Sequence, residues 1–219
     1  DALRNVWTSG LYLAFIFWWM ATFILAQHVH YHRNWFRSRA LNKIWPNYVG
    51  AFFGMTVGTY FAHHLAMHHP EDNEPEDLST TQPFRRDSAL HLAYYVGRFL
   101  LIGIPELAVY HFRKGKKRIF RDVIAGELFS WAVIAAFAWV DWQATLVVFL
   151  IPLVVVRAGM MVGNWGQHAF LKQDGETPNT LGTTLLDTAH NRRCFNNGYH
   201  ALHHNRQAMH WSELPDEYT

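Results

Sequence analysis

The chain of 219 residues is long enough for one domain with a sizeable core. Half of it is hydrophobic and only 16% is charged, a low share for a soluble domain. Mean hydropathy is nevertheless near zero, so a membrane part and a polar part must coexist. A net charge of +2, with no single-sign basic tract interleaved with aromatics, argues against nucleic acid as a partner. One cysteine, Cys194, excludes an internal disulfide and a cysteine-based zinc or iron–sulfur site.

In chain order, residues 6–27 run for 22 positions without a charge, enough to span a bilayer core of about 30 Å. The stretch is too long for a cleavable signal and lacks a small-residue cleavage site. A basic stretch comes next, with Arg33, Arg37, Arg39 and Lys43. Residues 47–62 are apolar but short, with Gly50, Gly54 and Gly58 at four-residue spacing that lets helices approach closely. Residues 70–87 are acidic and contain proline, which predicts a solvated loop. Residues 91–112 are apolar again, interrupted by Gly97, Gly103 and Pro105. Six Lys and Arg then crowd residues 113–121. Residues 123–140 and 144–163 are two apolar stretches joined by Asp141-Trp142-Gln143, the pattern of a transmembrane hairpin. The positive-inside rule puts the 113–121 loop on the cytoplasmic side or its organellar equivalent. Residues 164–219 are polar and form a cap outside the bilayer.

Four histidine clusters stand beside these apolar stretches: HVHYH at 28–32, HHLAMHH at 63–69, the lone His168, and HALHH at 200–204. His28 and His32 are four apart, as are His64 and His68, with His69 adjacent. His200, His203 and His204 fall at i, i+3 and i+4. Such spacings place side chains on one helical face. Imidazole is a strong ligand for first-row metals, and this many polar rings in apolar surroundings need partners. The candidate ligands are His28, His32, His64, His68, His69, His168, His200, His203 and His204, with Asn164 one turn before His168 able to bind through its carbonyl or a water. His30 and His63 remain open as further ligands. A shared centre requires all four clusters on one membrane face. Segments 47–62 and 91–112 are therefore expected to be re-entrant or in-plane, leaving spans at about 6–27, 123–140 and 144–163 in a single 1–219 domain. The expected fold class is all-α integral membrane, with a polar helical cap carrying the histidines.

These motifs resemble the membrane fatty-acid desaturase and hydroxylase superfamily. That family carries histidine boxes of the forms H-x(3,4)-H, H-x(2,3)-H-H and H-x(2)-H-H, plus a fourth His before the last box. HVHYH, HLAMHH, His168 and HALHH match them in order, and the gaps agree across most of the chain. Acyl-CoA desaturases also place an Asn four residues before the lone His, as Asn164 stands here. Box one differs from that subgroup in having three residues between its histidines, as in acyl-lipid desaturases, hydroxylases and some ketolases. The family also has two spans around box one, so a further helix is expected before Asp1 or is absent.

The resemblance implies a diiron enzyme that uses two Fe ions and O2 to attack an unactivated C–H bond of a fatty-acyl or similar lipid chain. The outcome would be a double bond or an alcohol. It also implies a separate electron donor, such as cytochrome b5 or a ferredoxin, because no haem-binding HPGG motif is present. Other readings are a diiron oxygenase of a carotenoid, sterol or alkane, or a non-catalytic subunit of a larger membrane complex. The endoplasmic reticulum, another organelle and a bacterial inner membrane are equally compatible. Among the acids, Asp187 could orient a ligand imidazole as a hydrogen-bond acceptor, while Glu71 and Asp72 read as surface charge. Glu106 is expected to face water, and Arg157 to snorkel from the end of its helix.

Overall fold

The computed structural model describes residues 5–171 and 182–218. Among them the chain is helical, with no strand beyond one isolated bridge between Thr184 and Tyr199. Three helical stretches, Val6–His32, Ala89–Arg113 and Lys117–His168, are long and apolar enough to cross a membrane by length and composition.

Helix α1, Val6–His32, starts where Asn5 caps it by accepting from the Trp7 amide at 2.9 Å. One side buries Ile16, Phe23 and Ile24 against Phe53, Met55, Tyr60 and Val156. The other leaves Trp7, Leu11, Phe15 and Trp18 exposed. A helix apolar all round, with large side chains facing outward, suits lipid rather than water.

Helix α2, Arg39–Phe52, doubles back along α1. His30 Nε2 meets the Asn42 carbonyl, Gln27 donates to the Pro46 carbonyl, and Phe53 stacks on Phe23 at 4.1 Å. The chain then turns at Gly54 and Gly58, both with positive φ, a conformation that favours glycine. A Cβ on Gly54 would sit 2.5 Å from the Leu153 backbone. Helix α3, Thr59–His63, leads back toward the end of α1 that holds His28 and His32. It passes into a π-helical turn, His64–His68, and then into α4, His69–Glu71.

The acidic loop after α4 is only partly the solvated segment that its composition suggests: Glu74, Pro75, Glu76 and residues 85–87 are exposed. Asn73, Asp77, Ser79, Thr80 and Thr81 are buried. They bond one another: Ser79 and Asn73 amides donate to Asp77, and the Thr81 amide donates to the Asn73 side chain. These short polar side chains satisfy the loop's own backbone, so the loop can be buried without losing hydrogen bonds.

Helix α5, Ala89–Arg113, is unbroken by Gly97, Gly103 and Pro105. It is longer than the interrupted 91–112 stretch suggested, because Ser88 caps it one turn earlier and Pro105 costs it only local backbone bonds. Arg98 and Glu106 pair along it at 2.9 Å, so Glu106 is not simply a solvated acid.

Helix α6, Lys117–Thr145, continues through a second π-turn, Leu146–Leu150, into α7, Ile151–His168. Asp141 breaks the run with non-helical backbone and caps the returning helix by accepting from the Gln143 and Ala144 amides. The two halves therefore fold into the expected hairpin, and Glu127 comes within 3.7 Å of Arg157 across it. Arg157 does not snorkel. It is buried, donating to the Gly54 carbonyl and to Thr56, while Thr56 and Thr59 donate to Glu127. Two opposite charges and two hydroxyls thus satisfy one another deep in the hairpin, the condition under which such groups are tolerated in apolar surroundings.

Helix α7 runs parallel to α1: Tyr12 bonds the Val148 carbonyl at one end, and Gly159 faces Met20 further along. Both helices end in candidate ligands, His28 and His32 on one and His168 on the other. Among the described residues the cap adds three short helices: α8 (Ala189–Arg193), α9 (His200–Asn205) and α10 (Leu214–Tyr218).

Candidate metal centre

The imidazoles of all four clusters meet at this one end of the molecule. Two groups form there: His28, His32, His64, His69 and His203 in one, and His68, His168, His200 and His204 in the other. Within each group the ligand-type atoms lie within 4.8 Å of one another. Nε2 atoms approach at 2.8 Å between His28 and His203, 3.3 Å between His32 and His64, 3.0 Å between His69 and His64, and 2.9 Å between His200 and His168. An ion that binds imidazole nitrogen at roughly 2.0–2.1 Å sets adjacent ligand nitrogens about 3 Å apart. The spacing is that of a ligand shell. The two groups adjoin, with the His69 and His204 rings 4.5 Å apart and those of His64 and His68 5.6 Å apart.

Local backbone decides which ring joins which group. Spacing alone puts His64 and His68 on one helical face, but the chain between them is a π-helix. Its wider turn aligns i with i+5, so His64 shares a group with His69 while His68 faces the other. Single π-turns of this kind recur at functional sites. In α9, likewise, His200 and His204 go to one group and His203 to the other.

Two carboxylates aim the rings. Asp77 accepts from His68 Nδ1 at 2.7 Å, and Asp72 from His204 Nδ1 at 2.6 Å. Both leave Nε2 to face the cluster, and the buried His204 Nε2 has no hydrogen-bond partner. A buried nitrogen without a partner is costly unless something absent from the chain binds it. This donor set, nine imidazoles with carboxylates behind two of them, fits two first-row metal ions.

Electrostatics agree. Burial and the neighbouring imidazoles hold His64, His69, His200 and His203 far below the usual imidazole range. The rings are thus neutral, the form that ligates. Burial also lowers His204, more than Asp72 raises it. Burial opposes charge on Asp77, but His68 and the Ser79 hydrogen bonds prevail and hold its carboxyl below the ordinary range.

The other candidates fall into place around this centre. Asn164 donates to the Ser79 carbonyl at 3.1 Å and to the Tyr95 hydroxyl at 2.6 Å, and it lines a cavity beside the cluster. His30 joins neither group; it bonds the Asn42 carbonyl and packs against Trp35 and Trp45. His63 also stands apart, its buried Nε2 lacking a partner and its range pushed down to about 4 by burial first and His68 second. Asp187 is exposed in the loop before α8 with φ of 51°. The acceptor role expected of it falls to Asp72 and Asp77, which lie on the tightly bonded loop after α4. Glu71 instead accepts from Tyr110 and pairs with Lys114 at 2.9 Å. Asp77 was not legible in the sequence, being one acid among five between residues 71 and 77 with no periodicity to single it out.

The cavity beside the cluster has a volume of about 300 Å³. His28, His64, His68 and His200 line it together with Ile24, Leu25 and Met160 of α1 and α7 and with the polar Asn164, Gln167 and Asn197.

Taken together, the helical scaffold and paired imidazole groups define a helical protein with membrane-length helices and a candidate two-metal centre. The fatty acid desaturase family model matches residues 5–218, and the chain belongs to that family. Comparison with curated proteins and with solved structures gives no match.

Proposed function

We propose that this protein is a membrane oxidoreductase holding two iron ions, which desaturates or hydroxylates a long acyl or similar hydrocarbon chain. The observation that carries this reading is the cavity of about 300 Å³, which imidazoles of both groups line together with apolar residues of α1 and α7. When bound, the iron pair would supply the oxidising power to take hydrogen from an unactivated C–H bond with O2 as co-substrate.

The chain's own residues then have defined tasks. Ile24, Leu25 and Met160 hold the hydrocarbon by excluding water from it. The parallel ends of α1 and α7 fix the imidazoles on rigid elements, which sets where along the chain attack falls. Asp72 and Asp77 accept the Nδ1 protons and keep each Nε2 turned inward. Electrons would come from a separate donor protein docking outside the membrane.

The contacts of α5 support an in-plane rather than a crossing helix. Near its start Tyr95 bonds the Ser79 carbonyl, and near its end His111 bonds the Ala62 carbonyl and Tyr110 reaches Glu71. Both ends are thus tied to the segment that carries box two. The dip of α2 and return of α3 likewise supports a re-entrant 47–62 segment, which keeps all four clusters on one face.

The experiment is to purify the chain from membranes, measure metal identity and stoichiometry, and analyse acyl products by gas chromatography–mass spectrometry after supply of O2 and a reducing partner. Two irons per chain with a new double bond or hydroxyl supports the reading. Zinc in place of iron, or iron without any lipid product across acyl, sterol, carotenoid and alkane substrates, defeats it.

A further inference from the structure

A second and larger cavity, of about 580 Å³, lies where no histidine reaches. Its walls are α2, the 54–57 turn, α6 and the segment leading into α7, with Ile44, Ala51, Val133, Ile134, Phe137 and Phe149 lining its length. Thr56 in its wall is bonded to Glu127 and Arg157. The cavity floor is rigid. A Cβ on Gly126 would lie 2.0 Å from the Val57 carbonyl oxygen, so α6 is pressed directly on the turn.

Polar groups in the wall are already engaged. Asn47 donates to the Lys43 carbonyl and accepts from the Gly58 amide. Ser130 donates to the Gly126 carbonyl and accepts from the Val57 amide. Thr56 is bound in the Glu127–Arg157 layer. The exceptions are Tyr48, whose side chain is largely exposed, and Lys43, whose neighbour Asn42 holds the His30 ring. Among the described residues the Lys43 ammonium has no carboxylate partner, and exposed Arg39 one turn earlier on α2 has none either. The slot is therefore apolar along its length and cationic at one end.

We propose that this cavity binds one acyl chain of an anionic glycerophospholipid, with the headgroup phosphate at Lys43 and Arg39. Each basic side chain at a membrane boundary attracts an anionic headgroup, and an apolar slot with satisfied walls takes a hydrocarbon without stranding a hydrogen bond. Such a lipid would brace the turn between α2 and α3 from the side opposite α1. The proposal rests on α2 lying at the membrane boundary and not on the oxygenase reading, because the site shares no residue with the metal centre.

The test is native mass spectrometry of the delipidated chain offered palmitoyl-oleoyl phosphatidylglycerol or phosphatidylcholine at equal concentration. One phosphatidylglycerol per chain should bind in preference. Lys43→Glu, an exposed substitution that leaves folding intact, should lower that preference by at least about fivefold, the effect of losing one basic residue near a headgroup. Ala51→Phe, which fills the slot, should remove the bound lipid, while metal content stays unchanged in both variants. Equal binding of the two lipids, or an unaltered preference in Lys43→Glu, overturns the proposal. So does phosphatidylglycerol binding to Ala51→Phe as to the parent chain, or a dimer that Ala51→Phe alone abolishes, which would assign the cavity to a second copy.

Discussion

His68 and Asp77 share a buried 2.7 Å hydrogen bond through the ring Nδ1. Asp77 is itself held by the Ser79 and Asn73 amides and by the Ser79 hydroxyl. The imidazole therefore has one tautomer and one orientation available, with Nε2 toward His168 and His204. A ring fixed in advance loses less freedom on binding a metal, and the carboxylate makes its free nitrogen a stronger donor.

Asp77→Asn should therefore weaken one of the two metal sites by about 10–100-fold, the usual effect of losing such a partner. Chelator competition on the loaded protein checks this. Asp72→Asn, whose carboxylate is partly exposed, should act in the same direction but less. Unchanged affinity at both sites in Asp77→Asn would show that the His68 contact is only structural.

The division into two groups predicts separable losses. His32→Ala removes a ligand from the group of five, and His168→Ala removes one from the group of four. Each should reduce bound metal from two ions toward one, and the double variant should retain neither. His30→Ala should keep both ions and instead lose about 2–4 kcal/mol of stability, from its bond to the Asn42 carbonyl and the cavity left by a buried ring. Elemental analysis of the purified variants beside their melting curves tests all four. A loss of metal in His30→Ala would place that ring in the ligand shell.

Much of this arrangement is legible in the sequence, and the limits have physical causes. An uncharged run such as residues 6–27 has few alternatives to a long apolar helix, and the hairpin at Asp141 arises from an acid between two apolar stretches. The histidine spacings bring the right residues to the right end. They do not tell which ring serves which group, because a π-turn is a backbone choice made by packing rather than by periodicity. The burial of Asn73, Asp77 and residues 79–81 hides for a related reason: the loop has the composition of solvated loops, and only its internal hydrogen bonds allow these residues to be buried. Arg157 is misread from sequence because its partners, Gly54, Thr56 and Glu127, are distant in the chain.

The contact between Gly126 and Val57 gives a stability prediction independent of metal. A methyl group on Gly126 would overlap the Val57 carbonyl, so α6 and the turn must separate. Gly126→Ala should cost about 1–3 kcal/mol, the range for forced overpacking. Gly97→Ala, with open space around its Cβ, should be neutral or stabilise α5 by up to about 1 kcal/mol through helix propensity. Thermal unfolding in one detergent compares the pair. Equal melting temperatures would mean that the close approach of α6 to the turn is wrong.

The apolar slot beside the imidazoles predicts a separation of metal binding from turnover. Gly163 lines this cavity on α7, and no atom lies within 4 Å of where its Cβ would be. Gly163→Leu should therefore narrow the cavity without disturbing any ligand, and leucine suits a helix better than glycine. Metal content and melting temperature should hold, while turnover of the preferred chain falls at least about tenfold, the scale on which one misplaced methylene is discriminated. A shorter or less bulky substrate should be affected less. Assay of the loaded variant against substrates of graded length reads this directly. If all lengths react as in the parent chain, the hydrocarbon does not pass between α1 and α7, and the slot has no part in choosing the substrate.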